Sequence, residues 1–168
     1  MAYSFIHESS EVEEGAIIGE DTCIWRFCCV RRGAKIGSHT NIGQGGYIDC
    51  GAVVGNYVKI GNNVSVYNKV TIEDGVFCGA SVVFTNVKVP RSMYPQEVTN
   101  YKETIVKEGS SIGANSTIIC GNTIGRYAMV AAGSVVTHDV PDYALVAGVP
   151  ARIVGKVYEK GHIIERYE

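Results

Sequence analysis

The sequence predicts an all-β chain wound as a triangular parallel coil, and three observations predict it. Beginning at Val12, every sixth residue is apolar, through Ile18, Ile24, Val30, Ile36 and Ile42 to Ile72, Cys78 and Phe84. With 46% apolar residues, one chosen register would give these thirteen matches by chance roughly 4 times in 100,000. A second run in the same spacing, Val106, Ile112, Ile118, Ile124, Val130 and Val136, follows after a gap. Finally, sixteen of the 20 glycines keep two fixed places in the repeat: eight directly follow an inward aliphatic residue and eight come three places after one. A period of six is neither the 3.6 of a helix nor the simple 2 of a long strand. It fits a short strand plus a corner, with one large aliphatic side chain pointing inward per face. Three faces make an 18-residue coil, and successive coils stack as parallel strands about 4.8 Å apart.

Along the chain, the N-terminus MAYSFIHESSEVEEGA has no basic start and no apolar run, so it does not read as a secretory signal. No stretch approaches ~18 uninterrupted apolar residues, so no membrane partner is expected. A cytoplasmic location with reduced thiols follows as the expectation. The coils are expected over 12–86 and 106–155, within one domain spanning 1–168. Residues eighteen apart should lie above one another, so that Ile18, Ile36, Val54 and Ile72 form one ladder and Ile24, Ile42, Ile60 and Cys78 the next. Four places after each inward residue stand small or β-branched side chains such as Ala16, Thr22, Ala34 and Val58. Asn41, Asn56, Asn62, Asn63 and Asn68, with the glycines, suit corners that need left-handed backbone angles.

The register breaks between Phe84 and Val106, which are 22 residues apart. A loop over 87–105, holding two of the 4 prolines, is expected to leave one corner as an ordered, functional flap. The tail over 156–168, KVYEKGHIIERYE, reads as a short helix broken at Gly161. Its Val157, Ile163 and Ile164 would point inward to cap the last coil.

Composition excludes several classes. A net charge of −2 offers no basic surface for a phosphate backbone, so nucleic acid is not an expected partner. Glycine without a three-residue period excludes collagen, and 19% charged against 46% apolar residues excludes a disordered chain. The cysteines, at 23, 28, 29, 50, 78 and 120, form no Cys-x-x-Cys pair and read as small, buried or half-buried residues. The four histidines, His7, His39, His138 and His162, are too scattered to supply three ligands to one zinc, so no metal is expected.

The units IGEDTC, IGSHTN, VGNYVK and IGRYAM follow the pattern I-G-x-x-[small]-x and resemble the hexapeptide-repeat acyltransferases over roughly residues 12–155. That resemblance implies a left-handed parallel β-helix. Its hand rests on the resemblance alone, since parallel crossovers are otherwise right-handed in about 98% of cases. It also implies a homotrimer with active sites between subunits and acetyl-CoA as co-substrate. Three functions use such a scaffold: acyl transfer from a CoA thioester, zinc hydration of the gamma-type carbonic anhydrases, and non-catalytic binding.

The stretch VAAGSVVTHDVPDYALVAGVPARIVGK resembles the family's CoA-binding end. There Ala131, Ala132, Gly133, Ala147 and Gly148 would let the pantetheine approach the backbone, with Arg152 and Lys156 as cations for the CoA phosphates. Residues 60–92 are similar to the nucleotide-sugar 3-N-acetyltransferases, which act on UDP- or dTDP-linked amino sugars in surface-polysaccharide synthesis. The resemblance implies that Asn86, of Phe84-Thr85-Asn86, lies beside the thioester, orienting the acyl group or steadying the departing thiolate. By the same resemblance Arg91 would anchor the sugar nucleotide. Tyr67 and Asn68, one coil below, would line the same cleft, and Arg31 would meet a carboxylate or pyrophosphate. No His stands between His39 and His138. An alcohol acceptor normally needs such a base, whereas a partly neutral amine needs less help, so N-acylation is favoured over acylation of a sugar or serine hydroxyl.

Overall fold

A computed structural model describes residues 4–167. They form a parallel β-solenoid of triangular section, with strands of two or three residues on three faces. The first face begins with Phe5–Ile6 and Cys23–Ile24, the second with Glu11–Val12 and Cys29–Val30, and the third with Ile17–Ile18 and Lys35–Ile36. Ladder partners are eighteen residues apart: Ile24 pairs with Ile42, Ile42 with Ile60 and Ile60 with Cys78. The winding starts one face, a third of a coil, earlier than expected, since Phe5–Ile6 already pairs with Cys23–Ile24.

Each strand of the coils alternates one outward and one inward residue; from Ile24 onward the inward aliphatics are almost wholly buried, whereas Ile6 is exposed and Val12 and Ile18 are half-buried in the first coil. Burying each of these Ile or Val side chains contributes about 1.5–3 kcal/mol, and β-branched residues suit the pleated backbone. The small residues four places later also face the interior, including Ala34, Ala52, Val58, Val64 and Val76. Where Thr replaces them, the hydroxyl finds a carbonyl on the next coil: Thr22 Oγ1 donates to Gly37 O (2.7 Å) and Thr40 Oγ1 to Gly55 O (2.8 Å).

The corners divide the glycines into two kinds. Those three places after an inward residue, Gly33 for example at φ +78°, have left-handed backbone. Asp21, Phe27, His39, Tyr57, Asn63, Asn115 and Tyr127 hold the same place with the same sign of φ. Of the asparagines expected there, only Asn63 has a positive φ. Asn56 and Asn62 instead accept backbone N–H groups of Ser38 (2.8 Å) and Gln44 (3.0 Å) on the coil below. Glycines directly after the inward residue are required by packing. At Gly79 an added Cβ would lie 2.5 Å from the backbone nitrogen of Ala114.

The interruption inserts sixteen residues into one coil, because Ile72 pairs with Val106 instead of a residue eighteen further on. The strand resumes at Thr104, two residues inside the expected loop. The loop carries a single turn of 3-10 helix, Val98–Asn100. Lys69 Nζ holds it to the corner by donating to Thr99 O and Tyr101 O, both at 3.1 Å. The last coil is two residues short: Ile124 bridges to Val140 and Val130 pairs with Val146, each sixteen apart.

The expected helical tail is not a helix. Ala144–Gly148, Ala151–Val157 and Ile163–Arg166 form an antiparallel meander that extends the first face. Val157 is buried, but Ile163 and Ile164 are exposed. Gly161, at φ +81°, lies in the turn that joins the last two strands. Two strands cover the open backbone edge of the final coil better than one short helix, because they satisfy its hydrogen-bonding groups directly.

Candidate active site

The corner after the second face stacks two columns of residues. Arg31, Asp49, Tyr67 and Thr85 follow directly after the paired inward residues, and Arg32, Cys50, Asn68 and Asn86 come next. Tyr67 packs against the core and lies 6.1 Å from the ring of Tyr47. Asn68 Nδ2 donates to Cys50 O (2.6 Å). Thr85 is pinned twice, its N–H donating to Ile118 O (3.0 Å) and its Oγ1 accepting from Cys120 N–H (2.9 Å). Asn86 therefore leaves a fixed residue and is half-buried at the mouth of the loop. Tyr67, Asn68 and Asn86 share this corner.

Arg31 lies two coils below Tyr67 and is engaged by the protein itself. It forms an ion pair with Glu13 and approaches the Tyr47 hydroxyl (3.5 Å), which donates to Asp49 Oδ1 (3.1 Å). The hydrogen bond from the Arg32 backbone N–H, followed by the Arg31 charge, holds Glu13 below the usual carboxylate range. Burial, then the bond to Asp49, raises the Tyr47 phenol. Arg91 is exposed on the loop, where its guanidinium donates to the neighbouring Pro90 O (2.9 Å).

The other chemistry-bearing region is the corner after the first face. Ala131, Ala132 and Ala147 floor a groove of about 560 Å³, walled by Phe77, Met129, Leu145, Val154 and Ile163. Gly133, with its left-handed backbone, ends this corner, and the Gly148 N–H donates to Ser134 Oγ (3.2 Å). An apolar slot with small residues at its base suits a slender acyl-bearing chain. The two cations expected beside it are placed differently. Arg152 opens into a separate cavity of about 290 Å³ beside His138 and Asp139, and Lys156 pairs with Glu165 (3.4 Å). The cation at the apolar groove is Arg166.

Sequence reasoning missed Arg166 because it read the tail as helix. Phe77 and Met129 were legible as large apolar residues at outward strand positions, where Asn41, Lys59 and Ser111 are the polar norm. The whole second face separates the Asn86 corner from the Ala131 groove, so one chain does not bring them together. Among the described residues no group of His, Cys, Asp and Glu could hold a metal ion. No described helix is long and apolar enough to cross a membrane.

The family model described as the hexapeptide repeat of succinyl-transferase matches residues 33–68 and 104–138. Both stretches lie on coils of the β-solenoid, so hexapeptide repeats are matched on either side of the extruded loop. Among curated proteins, it is 67% identical over 58 residues to dTDP-3-amino-3,6-dideoxy-alpha-D-galactopyranose 3-N-acetyltransferase of Aneurinibacillus thermoaerophilus. That stretch is 34% of this chain and 30% of the relative, so the similarity spans about a third of the relative's length. The fold is shared with the acetyltransferase domain of PglB from Neisseria gonorrhoeae FA1090 in complex with acetyl coenzyme A, at TM-score 0.61 and 20% identity over 89% of this chain and 57% of that one. A mutant of AntD, an N-acyltransferase from Bacillus cereus solved with dTDP and coenzyme A, aligns at TM-score 0.62 and 20% identity, covering 94% of this chain and 83% of that one.

Proposed function

We propose that the protein is an acetyl-CoA-dependent N-acetyltransferase acting on the 3-amino group of a nucleotide-linked sugar. Its setting would be surface-polysaccharide synthesis in the cytoplasm. The observation that carries this reading is the 67% identity to a dTDP-amino-sugar 3-N-acetyltransferase. The apolar groove over Ala131, Ala132 and Ala147 supports it as a place for the pantetheine, with Arg166 as the cation on its wall; Gly133 and Gly148 follow the lining alanines in the chain, Arg152 faces the neighbouring cavity, and Lys156 would reach a CoA phosphate only by leaving Glu165. Asn86, flanked by Tyr67, Asn68 and the loop bearing Arg91, lies on another corner. The reading therefore includes a homotrimer in which one copy's groove meets its neighbour's Asn86 corner.

In the reaction the neutral amine attacks the thioester carbonyl and forms the C–N bond. The C–S bond then breaks, and the departing thiolate takes up the proton the nitrogen releases. The Asn86 amide would donate to the developing negative charge. Arg31 would serve as an outlying anchor only by exchanging its Glu13 partner for a ligand anion. A thiol-release assay with acetyl-CoA against UDP- and dTDP-linked 3-amino sugars tests the reading. Turnover of hydroxyl sugars with none of amino sugars would replace it by O-acetylation, and absence of CoA binding in calorimetry would leave a scaffold.

A further inference from the structure

The first face carries a second groove, of about 610 Å³, nearer the N-terminus. Its outward strand residues Asn41, Lys59 and Phe77 are direct ladder partners on three successive coils, about 4.8 Å apart. The corner beside them is nearly bare, because Gly43, Gly61, Gly79 and Gly113 follow their inward residues with no side chain. Trp25, one coil below Gly43, closes this column; it is 44% exposed, with its Nε1 donating to Asn41 Oδ1 (3.2 Å) and its ring against Phe5 at 5.5 Å. Trp25 is therefore held in place while one face of the groove stays aromatic.

The charge here is one-sided. Arg26 and Lys59 line the groove, no carboxylate does, and neither cation has an ion-pair partner among the described residues. This contrasts with Arg31 and Lys156, which are both paired, in a chain of net charge −2. The side chains of Gln44 and Asn62 add polar groups at the rim. Phe77 also walls the apolar groove over Ala131, so the two grooves meet at one side chain.

An immobilised indole, two free cations and side-chain amides together match a planar base joined to a pyrophosphate. We infer that the groove bounded by Trp25, Arg26, Lys59 and Phe77 binds the pyrimidine nucleoside diphosphate part of the acceptor. The base lies against Trp25, the phosphates lie at Arg26 and Lys59, and the sugar is directed along the face toward Phe77. This rests on the nucleotide-sugar reading above, and it assigns recognition to residues on a different corner from Asn86 and Tyr67.

Trp25 is the chain's single Trp, so its fluorescence reports this groove alone. Titration with dTDP, and separately UDP, should quench the emission saturably. The Arg26→Gln/Lys59→Gln double variant should raise the Kd for the nucleotide at least tenfold while leaving the Kd for CoA unchanged. Both side chains are exposed, and the CoA titration confirms that the variant is folded. If calorimetry shows nucleotide binding of equal affinity in both proteins, with Trp25 emission unmoved, the groove is not the nucleotide site, although the acetyltransferase reading stands. If neither nucleotide binds the natural chain, the subsite is overturned, and the thiol-release assay decides the fate of the wider reading separately.

Discussion

Asn86 and the cysteines show how differently single residues are constrained on one scaffold. Thr85 holds the backbone before Asn86 through two hydrogen bonds to the next coil, so replacing the Asn86 amide disturbs the fold little. Asn86→Ala should lower kcat by about a hundredfold, the scale of losing one fixed donor to a developing oxyanion, with stability changed by less than about 0.5 kcal/mol. Steady-state thiol release and a thermal melt measure the two separately. Unchanged kcat would make Asn86 a structural corner residue. Burial pushes the Cys78 thiol up to about 12, so at pH 8 roughly one molecule in ten thousand carries the thiolate. Native-state alkylation followed by mass mapping should therefore modify Cys50, the one exposed cysteine, first and leave Cys28, Cys78 and Cys120 intact. The expectation of buried or half-buried thiols fails only at Cys50.

At the scale of the coil, two glycine positions that look equivalent in the sequence have different physical causes. Gly79→Ala drives a Cβ into the backbone of the next coil, and overpacking of this kind costs about 1–3 kcal/mol. At Gly33 nothing lies within 4 Å of an added Cβ, so Gly33→Ala meets only the left-handed backbone, roughly 1–2 kcal/mol. Gly33→Asn should be the milder change there, because Asn63 and Asn115 already hold that conformation, whereas no polar substitution rescues Gly79. Denaturant melts of the three variants distinguish the causes. The loop is a separable element. Removing 87–102 takes out sixteen residues and brings Thr104 into the place that an uninterrupted repeat would give residue 88, above Val70. The shortened chain should keep its melting temperature within a few degrees while losing acetyl transfer. A collapse of the fold would show that the Lys69 clamp on Thr99 and Tyr101 is structural.

For the whole molecule, the Asn86 corner and the Ala131 groove lie on different edges of one triangular column. Light scattering on the purified protein should accordingly give about three times the 18.1 kDa chain mass. A monomer that still turns over would remove the argument for a site between copies. Much of the molecule was legible without coordinates. Ladder register depends on one spacing, because a residue in a solenoid meets only the coil above and the coil below; the period of six therefore determined the coil, the inward set, the site of the interruption and the stacking of Tyr67 and Asn68 beneath Thr85 and Asn86. What only the tertiary structure decided lies where that periodicity ends or where outward side chains choose partners. The tail forms strands because a bare sheet edge is nearby to pair with, a fact that no local helix pattern contains. Arg31 is committed to Glu13, Arg166 replaces Arg152 at the apolar groove, and Arg26 with Lys59 has no ion-pair partner among the described residues. Inward residues obey the repeat because burial leaves them one direction to point, while outward charges are settled by whichever neighbour the completed surface brings within reach.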